Sequence, residues 1–299
     1  MPEPKTHQSR TIRIGCAGWT VPKGHACHFP AEGTHLKRFA GRLPAVEINS
    51  SFYRPHRPTT YARWAQSVPD EFRFSVKVPK EAMHKRRLVG AYDVLDRFLA
   101  EVTSLGDKLG PLLVQLPPSL VFNPSVAETF FKALRDRFAG NIAVEPRHAS
   151  WFEASAERLV TKFRAARVAA DPAVVEGASE PGGSDEVVYY RLHGSPKMYY
   201  SAYDDEYIKA LSGKLSQAAR SSNVWCIFDN TAEAAATANA LDLLSRIEGT
   251  EWPVRTDGST PPASLPAQDR MTRSDITASQ ATVAPIRQAG REWSDQRAG

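Results

Sequence analysis

Residues 141–152, NIAVEPRHASWF, start as an apolar strand and finish on Glu145, Arg147 and His148. Residues two apart on a strand share a face, so Glu145 and Arg147 point the same way. Other segments end alike: Glu47 with Asn49, Ser75 with Lys77, Gln115, Asp171, and Arg191 with His193. The stretch FDNT at residues 228–231 adds Asp229 or Asn230, either of which could share that face. Between these polar groups stand Ile48, Val76, Val114, Pro146, Ala170 and Leu192, which would pack the opposite way. A scaffold built only for stability would fill such a ring with aliphatic residues, because buried ion pairs stabilise poorly compared with packed apolar groups. Ionisable groups gathered at costly positions mark a site.

These residue types offer acid–base chemistry on an anionic substrate. Glu47 and Glu145 could serve as general base and acid, their pKa values driven apart by unequal neighbours, with His193 as a second proton carrier. Lys77, His84, Arg147 and Arg191 would receive the anion, and the planar fork of arginine suits phosphate. Asn49, Tyr53, Gln115, Asp171, Asp229 and Asn230 complete the expected substrate-binding set. The reaction expected is of hydrolase or lyase type, on a sugar phosphate, a nucleotide or nucleic acid. The alternative is a non-catalytic binder of nucleic acid or of a small anion. For that role Trp19, Phe52, Tyr53, Trp151, Tyr199 and Tyr203 could stack on bases or sugars. Residues 50–61, SSFYRPHRPTTY, interleave such rings with Arg54, His56 and Arg57.

No cofactor is expected. A divalent metal held by His84, His148 and His193 with Glu47, Glu145 and Asp171 is an open variant. Against it, no H-E-x-x-H spacing exists, and His148 has the wrong parity to join Glu145 and Arg147. LSGKLS at residues 211–216 lacks the rest of a P-loop, and RLHGS at residues 191–195 is not a nucleophile elbow. Gly194 there reads as a turn whose backbone N–H is available to an anion. Three cysteines, Cys16, Cys27 and Cys226, with no C-x-x-C pair point to free thiols.

The elements that must position this ring alternate along the chain. Strand patterns occupy residues 11–18, 45–50, 72–78, 111–117, 141–146, 167–171, 187–194 and 223–230. Helical patterns fall at residues 59–68, 92–109, 124–138, 153–166, 203–219 and 231–247. The second of these carries Val94, Leu95, Phe98, Val102 and Leu105 on one stripe. Asn123 reads as an N-cap before Pro124, and Thr231 as another. Alternating strands and helices over about 240 residues predict a (β/α)8 TIM barrel, its active site at the carboxyl rim. Distortion is expected after the first strand, where a long loop precedes a short helix, and after the sixth, where no good helix follows.

The chain has 299 residues, 42% hydrophobic and 24% charged, with net charge +5, the profile of a globular protein. Its pI near 9.1 permits anionic partners, although HKRRL at residues 84–88 is the densest basic cluster. No apolar run approaches the ~18 residues that cross a bilayer, so no membrane partner is expected. No signal-like apolar stretch opens the chain, which predicts a cytoplasmic protein, taken as a monomer. Residues 1–10 and 253–299 have too few large apolar groups to offset ordering and are expected to be disordered, leaving 11–252 as the domain.

Several stretches together resemble the YecE-like family, a group of TIM-barrel proteins with a domain of unknown function. They are IGCAGW at residues 14–19, Phe29 with Pro30, VEINSSFYRP at 46–55 and LGPLLVQLPPS at 109–119. AVEPRHASW at 143–151, YYRLHG at 189–194 and FDNT at 228–231, followed by AEAAATANALDLL, continue the series in order. The resemblance covers residues 12–247 and implies the barrel fold, without a reaction. The chain departs from the family pattern at Pro146, where Phe is usual, and at Asp229, where the last strand usually ends in two Asn. Met83 precedes His84 where Thr is usual, and Trp19 lacks the Tyr that commonly follows two residues on.

Overall fold

The computed structural model describes residues 11–250. The expectations for residues 1–10 and for the tail from 253 lie outside the described residues. Ten described strands form one sheet. They are β1 (Ile12–Ala17), β2 (Ala45–Ile48), β3 (Arg73–Lys77), β4 (Leu109–Gln115), β5 (Ile142–Glu145), β6 (Ala165–Arg167), β7 (Ala169–Asp171), β8 (Gly182–Gly183), β9 (Val187–Leu192) and β10 (Asn223–Phe228). Their order is β7-β9-β10-β1-β2-β3-β4-β5-β6-β8, with every pairing parallel except β6 with β8.

The sixth strand closes the barrel by changing partners. Its first half, β6, pairs with β5, and its second half, β7, pairs with β9. Only Val168 separates the halves, and its N–H donates to the Val144 carbonyl at 2.8 Å. The connection after it is irregular, as expected, and contributes only the short β8.

Helices cover the outside: α1 (His35–Ala40), α2 (Ser50–Tyr53), α3 (Pro58–Gln66), α4 (Tyr92–Val102), α5 (Pro124–Arg137), α6 (Ala154–Lys162), α7 (Asp205–Ala218) and α8 (Ala235–Glu248). None is long and apolar enough to cross a membrane. The Asn123 side chain caps α5 by accepting from Val126 N at 3.2 Å, as the sequence predicts. Thr231 does not cap α8: residues 231–234 form a turn, and Ala234 at φ 65° precedes the helix without a side-chain cap. Helix α4 also stops short of residue 109. Gly106, at φ 58° and ψ −138°, breaks the helical path, and Leu105 reaches the core from a 3-10 turn instead. The four-residue α2, absent from the sequence expectation, turns the chain at the rim directly after β2.

Alternation sorts the barrel into two cores. Ile48, Val76, Val114 and Leu192 pack outward under the helices, as their parity requires. Inside lie Ala45, Leu113, Ala143, Ala166, Val168, Ala170, Val187 and Ile227, with Tyr189 and Trp225. The last two rings stack, centroids 6.1 Å apart and planes within 3°. Trp225 lies so close to Gly110 that a Cβ there would meet the indole at 2.6 Å, which demands glycine. The sixth strand overturns one expectation: Ala170, not Asp171, faces inward.

Candidate active site at the carboxyl rim

Above the stacked rings, the inward side chains become charged. Arg191, at the end of β9, is 1% exposed and gathers three carboxylates. Its Nη2 donates to Glu47 Oε1 at 2.8 Å and lies 2.9 Å from Asp229 Oδ2, while Nη1 donates to Glu145 Oε2 at 3.2 Å. Nε reaches both Glu47 oxygens at 3.1 and 3.2 Å. Tyr189 O–H donates to Glu47 Oε2 at 2.9 Å, and burial with the adjacent Glu47 charge keeps that phenol protonated. Glu47 is thus enclosed on both oxygens. The expectation that it meets substrate as a base fails for that reason, and its role here is to orient Arg191.

His193 continues the network one layer higher. Its Nδ1 lies 3.1 Å from Asp229 Oδ2, and its Nε2 lies 2.8 Å from Glu145 Oε1. The imidazole thus stands between two carboxylates, and its tautomer sets which ring nitrogen donates. Arg147 Nη2 donates to Glu145 Oε1 at 2.6 Å and also lies 2.7 Å from His193 Nε2. Gln115 Nε2 donates to the other Glu145 oxygen at 3.0 Å. Tyr199 covers the imidazole edge to face, with centroids 5.8 Å apart.

Electrostatics follow from this geometry. Burial would raise the Glu145 and Asp229 carboxyls, but Arg191 and the other neighbouring cations outweigh it and hold both below their ordinary values. The same carboxylates outweigh burial at Arg191 and raise its guanidinium. Lys77, at the end of β3, behaves in the opposite way. Burial first, and then the Arg191 charge, push its ammonium down from 10.5 to about 8. Its Nζ sits 4.3 Å from the Phe52 ring centroid and, among the described residues, has no ion-pair partner. His84 packs edge to face on the same Phe52 ring, at 5.0 Å, and its burial followed by the Lys77 charge pushes its imidazole down.

Three buried polar atoms around this space lack a hydrogen-bond partner: Asn49 Oδ1, His84 Nε2 and Arg147 Nε. The structure therefore gathers Glu47, Lys77, Gln115, Glu145, Arg147, Arg191, His193 and Asp229 into one cluster, with Asn49 and His84 at its edge. Asp229, rather than Asn230, is the inward residue directly after β10. Asn230 turns outward, donating from Nδ2 to Ser201 O at 2.9 Å and Asn239 Oδ1 at 3.0 Å. Asp171 points away as well and accepts from Tyr203 O–H at 2.8 Å. Gly194 N–H is spent on the Tyr203 hydroxyl at 2.9 Å, so it does not present itself to an anion. Tyr53, on α2, is 70% exposed, its ring against Phe52.

His148 caps the 3-10 turn Ala149–Phe152, its Nδ1 accepting from Ser150 N at 3.2 Å. That separates it from His193, and among the described residues no group of three or more His, Cys, Asp or Glu is arranged to hold a metal ion. The sequence expectation missed Tyr189 as a member of the network. The signal was present, since residues 189, 191 and 193 share one parity.

Comparisons with known proteins agree with this architecture. The family described as "Protein of unknown function DUF72" matches residues 13–264. UPF0759 protein YecE of Escherichia coli (strain K12) is 30% identical over 143 residues, 47% of this chain and 50% of that protein. UPF0759 protein YunF of Bacillus subtilis (strain 168) is 27% identical over 152 residues, 47% of this chain and 52% of that protein. The chain thus spans about half the length of the curated relatives it matches. Among solved structures, a DUF72 family protein of Enterococcus faecalis V583 superposes with TM-score 0.67 at 20% identity, covering 86% of this chain and 100% of that one. A DUF72 family protein of Thermotoga maritima MSB8 gives TM-score 0.67 at 21% identity, covering 79% and 99%. These structural likenesses show the TIM-barrel-like fold, and the family match places the chain in the DUF72 family.

Proposed function

We propose that the chain is an enzyme of hydrolase or lyase type that takes a phosphorylated or otherwise anionic substrate at the carboxyl rim. The observation that carries this reading is the surplus of hydrogen-bond donors there. Arg147 keeps Nε unpaired and Lys77 has no ion-pair partner, while the carboxylates below are already matched. Unpaired buried donors are costly, and an entering anion would satisfy them. Arg147 then positions the anionic group through its fork. Asp229, whose side chain is 10% exposed, meets the substrate proton, and His193 passes it between Asp229 and Glu145. The cytoplasmic, monomeric state belongs to the same proposal.

The test is a turnover screen on sugar phosphates, nucleotides and phosphodiesters with wild type and His193→Gln. The expected result is turnover that falls about a hundredfold or more in the variant while ligand binding persists. Equal turnover in the two proteins would remove the proton relay from the account.

A second reading, nucleic-acid binding without catalysis, is supported by exposed Tyr53 beside exposed Arg54 and Arg57 on the rim. Stacking plus phosphate contact is the chemistry those groups supply. Salt-sensitive polynucleotide binding that vanishes in Tyr53→Ala, with no turnover of any small anion, is the result that would favour it.

A further inference from the structure

Lys77 has no task in the ion network that surrounds it. Each carboxylate within that network is engaged elsewhere: Glu47 by Arg191, Glu145 by Arg147 and His193, and Asp229 by Arg191 and His193. The lysine is only 7% exposed, so most of its side chain is out of water. Its neighbours are the Phe52 ring, at 4.3 Å, and the Arg191 guanidinium, with Asp229, Glu47 and Glu145 acting on it from beyond ion-pair distance. Desolvation and an adjacent positive charge are the two conditions that turn a lysine into a nucleophile at neutral pH. A lysine near 8 has, at pH 7.5, about a quarter of its amine neutral, roughly two-hundredfold more than an ordinary lysine.

We propose that Lys77 is a nucleophilic amine that condenses with the carbonyl carbon of an aldehyde, ketone or 2-oxo acid. The inference rests on the anionic-substrate reading, with Arg147 holding the anionic end of the molecule. The neutral Nζ forms a bond to the carbonyl carbon, and the carbonyl π pair moves to oxygen. One proton passes from nitrogen to that oxygen, giving a carbinolamine. A second proton, delivered through His193 and Asp229, lets the hydroxyl leave as water while the nitrogen lone pair forms the iminium bond. Amine, carbonyl and one proton become iminium and water, with no change of oxidation state. Asp229, whose side chain is 10% exposed, then serves the electron-poor iminium, where bond cleavage or proton loss at the adjacent carbon becomes accessible.

Pyridoxal 5′-phosphate serves as a probe because it carries an aldehyde and a phosphate. The full chain is incubated with it at pH 7.5, reduced with borohydride, and mapped by peptide mass spectrometry. The expected result is label on Lys77 at least about tenfold faster than on exposed Lys80, slowed by inorganic phosphate and absent in Lys77→Met. Lys80→Met should label as wild type does. Label spread over Lys80 and other exposed lysines, with Lys77 no faster than they are, would overturn the inference. A melting-temperature rise with inorganic phosphate is measured on the same wild-type sample. Its presence without Lys77 label sinks the carbonyl chemistry alone. Labelled Lys77 with no phosphate protection and no melting shift sustains the amine chemistry and sinks the anion reading.

Discussion

Arg191 ties Glu47, Glu145 and Asp229 together in the barrel interior, and each of those acids depends on it for charge balance. Replacing it with Met leaves buried Glu47 without a cation and takes one cationic partner from Glu145 and Asp229. Arg191→Met should therefore lose about 3–5 kcal/mol in urea unfolding, as one-sided removal of buried ion-pair partners does. Stability should also depend on pH in two windows of the same direction. Glu145 and Asp229 lie below their ordinary values of 4.5 and 3.8, so their ionised forms stabilise the fold in full above that range. That contribution fades as pH falls through and below it, since the unfolded chain then binds more protons. Lys77 is likewise depressed, from 10.5 to about 8, and as a base it disfavours the fold while charged. Between those values the unfolded chain again holds the extra proton, so stability rises with pH. Lys77→Met should melt higher than wild type at pH 7 and lose the alkaline part of that rise; an unchanged slope between pH 8 and 10 would contradict the assignment. Strand parity made most of these residues legible in the sequence. It could not reveal that Glu47 is enclosed, because the Tyr189 contact that completes its enclosure spans 142 residues.

Local signals worked where the chain itself supplies the partner. Asn123 sits three residues before the N–H it accepts, a distance any reader of sequence can check. Asn123→Ala should cost about 1 kcal/mol in thermal unfolding; a change below a few tenths would show that Pro124 alone sets the start of α5. The signals failed where tertiary contact decided the outcome. Thr231 has the right type for a cap, yet Asn230 O takes the Ala236 N–H at 3.1 Å, and the helix starts later through that bond. Asp171 was assigned inward by position near a strand end. The switch of pairing partners around Val168 brings Ala166, Val168 and Ala170 inside, and Asp171 is left to Tyr203. Nothing in the local pattern of residues 167–171 records which neighbour each half will find.

At the scale of the whole molecule, the barrel separates support from chemistry. Stacked Tyr189 and Trp225 fill the middle, the Arg191 network seals the layer above, and Arg147 Nε and Lys77 stand unpaired at the rim. Barrel folds place reacting groups at that end because the βα-loops can vary without disturbing the core. The alternation of strands and helices was enough to predict this architecture. Closure through a split sixth strand was not, since it is a property of pairing around the full ring. The departure at Asp229 has a consequence on the same scale: it supplies a carboxylate to both Arg191 and His193, where an Asn would supply none. Asp229→Asn should keep the fold and lose about a hundredfold in turnover, read as kcat against wild type. The central claim, that the rim is built to accept an anion, is tested most directly by calorimetric titration of inorganic phosphate into wild type and Arg147→Gln. The account predicts binding by wild type that weakens at least about tenfold in a variant with an unaltered far-ultraviolet spectrum. Equal affinity in the two proteins, or no binding by either, would contradict it.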